Sequence, residues 1–354
     1  MSLGLRRRLI RLLMGTGPQF AGDRDFAALA YRHILRREPS AAELEHTTQL
    51  VAARGPASVM QMLFESGEHQ FRNRVAAAAE FDAGHYYSPV VDPEGLQATG
   101  FQVDRKLPGS ALAGLALDDA AMLAFWDAQT PAMRAADIPA RQTEGRRYWA
   151  ENDVYSWGDA LVLAGMLAAH RPARIIEIGS GFSSACMLDV ADRTGLPTAF
   201  TFVEPYADRL KSLLGAADQR RCTLHETPVQ ATSPELYAAL EAGDLLFIDS
   251  THVSKTGSDV NFELFEILPR LKPGVIIHFH DIFWPFEYPD EWIFKSRRSW
   301  NELYILRAFL MDNPRFEIMF FNDYFGRRHA DHARATVPRF MDNPGGGLWL
   351  RKRA

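Results

Sequence analysis

Two periodicities divide this chain. Over residues 23–37, Phe26, Leu29, Ala30 and Ile34 recur at helical spacing. Pro39 ends that run. Ser40, with Glu43 three residues on, has the spacing of a capping box and predicts a second helix over 41–53. A third helix over 56–65 puts Val59, Met60, Leu63 and Phe64 on one face. Together they predict a small helical domain over 23–74, preceded by a tail over 1–22. Beyond Tyr155 the pattern changes. Short apolar runs at 174–178, 199–203, 222–226, 244–248, 274–279, 316–321 and 347–351 read as strands, with helical segments between most of them. LLFI and VIIHF have almost no polar position, which a parallel strand buried on both faces requires. The expected fold is therefore α/β, a doubly wound, seven-stranded, mostly parallel sheet over 151–354. Residues 75–150 hold turn formers and aromatics, as in GHYYSPVVDPEG. They predict a cap laid over the sheet domain rather than a plain linker, because so many aromatics are seldom left in water.

Doubly wound sheets bind ligands beyond the C-terminal ends of their strands, so the chemistry is expected just after each one. The first strand runs into IIEIGSGFSSA. Gly179 and Gly181, with Ser180 between them, lie in a turn where glycine permits positive φ and close approach of a ligand. The helix that follows aims free amides at that turn. A dinucleotide loop carries a third glycine, here replaced by Ser184. Glu177, two residues before the first glycine, attracts an ammonium group and repels a pyrophosphate. S-adenosylmethionine offers an ammonium, a carboxylate and a sulfonium, and no phosphate. The second strand ends at Glu204, about twenty residues past the loop, where a carboxylate takes both ribose hydroxyls. Val229 and Gln230 follow the third strand, either flanking an adenine or as ordinary surface.

The segments ENDVYSWGDALVLAGML, RIIEIGSGFSSACMLDV, TFVEPYADRL and DLLFIDSTHVSKTGSDVNFELFEILPRLKPGVIIHFHDIFWPFEYP resemble the class I S-adenosylmethionine-dependent methyltransferases, Rossmann-like enzymes. They are most similar to a bacterial subgroup associated with polysaccharide and natural-product clusters. The likeness runs from about residue 84 to the C-terminus. It implies that Glu177, Gly179 and Gly181 hold the methionine part and Glu204 the ribose. Residues 23–72 resemble a small helical domain of unknown function in bacterial envelope and polysaccharide-related proteins, which implies an accessory role.

In the strand order of that family, strands four and five are neighbours, and they end at Asp249 and at His280-Asp281. A sugar hydroxyl holds its proton too tightly to attack a methyl group unaided. A base taking that proton is worth ~10²–10⁴-fold. His252 is the candidate base, with Asp249 beside it in the catalytic pair. Asp249, His280 and Asp281 are candidate ligands for Mg²⁺ or another divalent metal. Metal-dependent sugar O-methyltransferases of macrolide biosynthesis are similar here, with Asp-x-x-His after strand four and an acid pair after strand five. This chain departs at His280, which leaves metal identity and metal use open, since Mg²⁺ prefers oxygen. Asp249 either binds metal or contacts the cofactor's amino group; His280 is either a ligand or packed behind the ligands. Trp284, Phe286, Tyr288 and Trp292 read as an acceptor lid, or as packing against residues 86–89. Tyr155 and Trp157 either line the cofactor mouth or staple the start of a helix.

Composition narrows the partners. The chain has 354 residues, 47% hydrophobic and 23% charged, with net charge −5, and a basic footprint for nucleic acid is missing. No apolar run reaches the ~18–20 residues that span a bilayer. Arg6, Arg7, Arg8 and Arg11 interleave with leucines over residues 1–14, which reads either as a weak peripheral membrane helix or as a locally packed terminus. Two cysteines, Cys186 and Cys222, make no disulfide framework; buried free thiols in the cytoplasm are expected. The expected reaction is O-methylation of a saccharide or other small-molecule hydroxyl. The alternatives are an oxidoreductase on the same fold, or a non-catalytic cofactor-binding scaffold whose N-terminal helices dock a protein partner.

Overall fold

The structure is a computed structural model that describes residues 22–35, 37–67, 81, 83–103 and 112–354. The chain divides into two compact units between Asp92 and Pro93. In the first, helix Asp23–Ala30 continues through a wider turn, Tyr31–Leu35, and is followed by helices Ala41–Arg54 and Pro56–Glu65. The capping box is present in both directions: Glu43 N donates to Ser40 Oγ at 3.3 Å and Ser40 N to Glu43 Oε2 at 2.7 Å. The predicted apolar faces meet, burying Phe26, Ala30, Ile34, Val51, Val59, Met60 and Leu63 in a core of their own. The expected membrane contact of residues 1–14 lies outside the described residues. Among the described residues no helix is long and apolar enough to cross a membrane.

The second unit is built on seven strands: β1 (Arg174–Ile178), β2 (Ala199–Val203), β3 (Cys222–His225), β4 (Leu245–Ile248), β5 (Ile276–Phe279), β6 (Phe316–Phe321) and β7 (Leu348–Lys352). Their order is β3-β2-β1-β4-β5-β7-β6. β1 to β5 run parallel, and β7 is antiparallel to both its neighbours. The fold is the expected doubly wound, seven-stranded, mostly parallel α/β sheet. Every residue of β4 and β5 is buried, as their apolar runs require. The order reverses between β1 and β4, so a crevice opens above their C-terminal ends.

The stretch read as a cap over 75–150 is corrected in part. Helix Asp119–Ala135 belongs to the sheet unit's own core. Its Trp126 is fully buried, stacks on Phe325 with centroids 4.6 Å apart, meets Phe340 edge-on, and donates from Nε1 to Thr336 Oγ1 at 2.8 Å. Just before it, Leu117 bridges to Ile318 of β6. Arg147 ties the following loop to the sheet unit through Asp189 and Asp218, at 2.7 Å each. These anchors pair Trp126 with Thr336, Leu117 with Ile318 and Arg147 with Asp218, contacts too distant in the chain for local periodicity to detect. Cys186 is buried and Cys222 only partly so; both are free thiols.

Candidate active site

The strand register brings the site together. Asp249 N donates to Ile178 O at 2.9 Å and His280 N to Ile248 O at 2.9 Å, so the ladder carries one residue past β4 and β5. Gly179, Asp249 and His280 therefore stand side by side at the switch point. Gly179 has φ +81, and a Cβ there would lie 1.7 Å from the Asp249 carbonyl oxygen, so no other residue fits. His252 and Asp281 also take left-handed backbone, at φ 61 and 59. Such conformations cost about 1–3 kcal/mol each and persist only where the surroundings impose them.

A cleft of about 370 Å³ opens here, inside the roughly 300–1,000 Å³ of small-molecule sites. Gly179, Ser180, Gly181, Glu204, Asp249, His252, His280 and Asp281 all line it. Glu204 Oε2 accepts from Ser180 N at 3.1 Å and Oε1 from Tyr206 N at 2.7 Å, so the second acid also shapes the glycine turn.

Two expected cofactor residues stand elsewhere. Glu177 is fully buried beneath the turn and does not line the cleft. Both its oxygens accept from the Ser183 and Ser184 hydroxyls, and burial raises its carboxyl to about 8 against those bonds. Ser184 thus occupies the third-glycine position because its hydroxyl supports Glu177. Gln230 is exposed and donates from Nε2 to Gly257 O at 2.9 Å, also outside the cleft lining. Tyr155 lines the cleft, its ring 5.2 Å from that of His280. Trp157 does not line it and carries Arg339 over its ring at 4.8 Å.

His252 is 5% exposed, and its Nδ1 lies 2.8 Å from Glu302 Oε2. Nε2 lies 3.4 Å from Asp249 Oδ1 and 3.5 Å from Asp281 Oδ2. Burial alone would lower the imidazole, but Asp249 and Glu302 bond it and it is raised well above its ordinary value. Burial also opposes charge on His280, yet Asp281, Asp249 and Asp159 raise it to about 9. Burial pushes Asp249 up, and the charges of His280 and His252 more than offset this, holding it below the usual carboxylate value. Asp159, fully buried nearby, is raised by burial to about 7.

Glu302 was not visible in the sequence reading. Its helix, Glu302–Leu310, starts where the His252 carbonyl accepts from both Asn301 N and Glu302 N, at 3.0 and 3.1 Å. Further lining residues were missed, among them Arg209, whose Cδ lies against Gly181, and Arg298 and Trp300, in the loop before that helix. The aromatic segment after β5 splits. Trp292 lines the cleft, while Trp284, Phe286 and Tyr288 are core, packed on Tyr324, Phe321 and Trp300.

Asp249, His280 and Asp281 each offer one ligand atom, all within 4.8 Å of one another, and His280 Nδ1 is buried without a hydrogen-bond partner. Two carboxylates and an imidazole so disposed fit a divalent transition metal better than Mg²⁺.

Residues 176–282 match a family described as a methyltransferase domain. Within the chain, that segment is similar to a methyltransferase domain. The matched segment runs from β1 through the glycine turn to the end of β5, so it holds Gly179, Glu204, Asp249, His252, His280 and Asp281 of the crevice, and the expected enzyme class is borne out. An uncharacterized protein of Archaeoglobus fulgidus is 27% identical over 165 residues, 46% of this chain and 74% of that protein. Solved structures overlap more widely at lower identity. A Podospora anserina methyltransferase bound to S-adenosylhomocysteine is 18% identical, covering 67% of this chain and 89% of that one, with a TM-score of 0.34. The O-methyltransferase TomG of Streptomyces achromogenes, of tomaymycin synthesis, is 12% identical over 68% and 92%, at 0.37. A Bacillus cereus O-methyltransferase is 15% identical over 68% and 93%, at 0.36. The sheet unit has the expected strand order through its own hydrogen-bonded register.

Proposed function

We propose that this protein transfers the methyl group of S-adenosylmethionine to a hydroxyl oxygen of a saccharide, glycoside or similar small molecule. The observation that carries this reading is the His252–Glu302 pair, set in the same cleft as the glycine turn and Glu204. On this reading the turn receives the methionine part, Glu204 the ribose, and Asp249 stands between cofactor and acceptor. The oxygen attacks the methyl carbon, the carbon–sulfur bond breaks, and the hydroxyl proton passes to His252 Nε2. Glu302 holds the ring so that Nε2 faces the cleft, the role a buried carboxylate plays behind a catalytic histidine.

His252 accepts a proton only when neutral, and the carboxylates around it oppose that. A cation seated against Asp249 and Asp281 removes their hold on the imidazole. The sulfonium is one such cation. Asp249, His280 and Asp281 would hold a divalent ion as another, which when bound lowers the pKa of a hydroxyl and orients it. Trp292 and Trp300 support a saccharide acceptor, since sugar faces stack on aromatic rings.

The test is incubation with methyl-labelled cofactor and a panel of glycosides and polysaccharide extracts. Label is expected in an ether-linked methyl group of the acceptor. Intact cofactor binding with no label above background overturns the reading in favour of a scaffold. In parallel, Glu204→Ala is expected to weaken S-adenosylhomocysteine binding by ~1.5–3 kcal/mol, the worth of hydrogen bonds to a charged group; unchanged affinity removes the ribose assignment.

A further inference from the structure

Arg298 sits on the acceptor side of the cleft, and among the described residues no carboxylate is within ion-pair distance of its guanidinium, though its charge reaches Asp281 through space. The carbon at the centre of that group lies 4.0 Å from the Trp292 ring centroid and 4.4 Å from that of Trp300, whose planes meet at 85°. Its backbone N donates to Trp292 O at 3.0 Å, folding the loop back on the ring. Among the described residues the side chain has no ion pair and no hydrogen bond, yet it lines the cleft together with both tryptophans. Its neighbour Arg297 points to a different task, pairing with Glu94 at the exposed surface.

A guanidinium clamped by two indoles has already given up its rotational freedom, so it binds a further group with little added ordering. Its planar fork still offers donors, and these match the two oxygens of a carboxylate or a phosphate. Asp249 and Asp281 have the closer cations in His252 and His280, and Arg298 acts on Asp281 only through space, more weakly than either histidine. Arg209 is the other arginine of the cleft, but it lies against Gly181 at the cofactor turn.

Resting on the methyl-transfer reading above, we infer that Arg298, held by Trp292 and Trp300, binds an anionic group of the acceptor, so the substrate is an acidic glycoside or sugar phosphate rather than a neutral sugar. The carboxylate or phosphate takes the guanidinium fork, and the hydroxyl is turned toward His252.

The test uses the full chain saturated with S-adenosylhomocysteine and titrated calorimetrically with D-glucose, sodium D-glucuronate and D-glucose 6-phosphate. At least one anion is expected to bind about tenfold or more tightly than glucose. Whichever anion gains more identifies carboxylate or phosphate as the source. Arg298→Gln is expected to bring that anion within about threefold of glucose while leaving S-adenosylhomocysteine affinity unchanged, which also reports an intact fold. Arg298→Lys, with charge but no fork, is expected to keep part of the preference. Equal binding of all three sugars by the parent chain overturns the inference, as does a preference that survives in Arg298→Gln; in both cases the methyltransferase reading stands. Failure to bind S-adenosylhomocysteine overturns both.

Discussion

Glu302 lies fifty residues beyond His252 in the chain, yet its carboxylate and the imidazole are 2.8 Å apart. A buried acid on one ring nitrogen leaves the other aimed at the cleft and stabilises the ring when it takes a proton. Glu302→Gln keeps the size and one hydrogen bond but removes the charge. Turnover is expected to fall by ~10²-fold, within the worth of a positioned base, with S-adenosylhomocysteine affinity unchanged. A variant turning over at the parent rate rules out the pairing as part of the reaction. At this scale the sequence was legible where a residue directly follows a strand. Asp249, His280 and Asp281 were found that way, and His252 by its spacing from Asp249. Glu302, Arg298 and Trp300 escaped because they lie beyond a loop whose return to the cleft leaves no periodic trace. Glu177 was placed correctly at the end of β1, but its hydrogen bonds to Ser183 and Ser184 turn it under the cleft floor rather than into it.

The turn after β1 shows how an element imposes its own residues. Gly179 N donates to Val203 O at 3.0 Å while its Cα faces the Asp249 carbonyl, so the turn is pressed between β2 and the end of β4. Gly179→Ala combines a left-handed backbone with a clash against main chain. A loss of about 2 kcal/mol or more is expected, with S-adenosylhomocysteine binding lost even at temperatures where the variant is folded. Thermal melts followed by circular dichroism, with and without ligand, measure both; a stable variant that still binds shows that the turn tolerates a side chain. The strands themselves were legible to within two residues at each end, most plainly β4 and β5, whose burial on both faces requires apolar residues throughout. The aromatic run after β5 was not resolvable in the same way, because hydrophobicity is the same in a core residue, Trp284, and in a cleft residue, Trp292.

For the whole molecule, buried ionisable groups set the dependence of stability on pH. Glu177, Asp159 and His280 are raised to about 8, 7 and 9. In each case the fold binds the proton more tightly than the unfolded chain does. The stabilisation is complete below the unfolded values, about 4 for the acids and about 6.5 for histidine, and is lost as pH rises through 7 to 9. The melting temperature of the ligand-free chain is therefore expected to fall between pH 6.5 and 9, by ~2–4 °C for each kcal/mol lost. Glu177→Gln, which has no proton to lose, is expected to show a shallower fall. Equal slopes for parent and variant discard a protonated Glu177. The sequence alone determined the parallel α/β sheet, the glycine turn, the strand-end acids and the separate helical unit, because each rests on local periodicity or on a short spacing. Only the tertiary structure decided that Asp119–Ala135 is core, that Glu302 backs His252, and that Arg298 lies against two tryptophans. Those contacts join segments far apart in the chain, and their energies come from burial and pairing, which exist only once the sheet has closed around them.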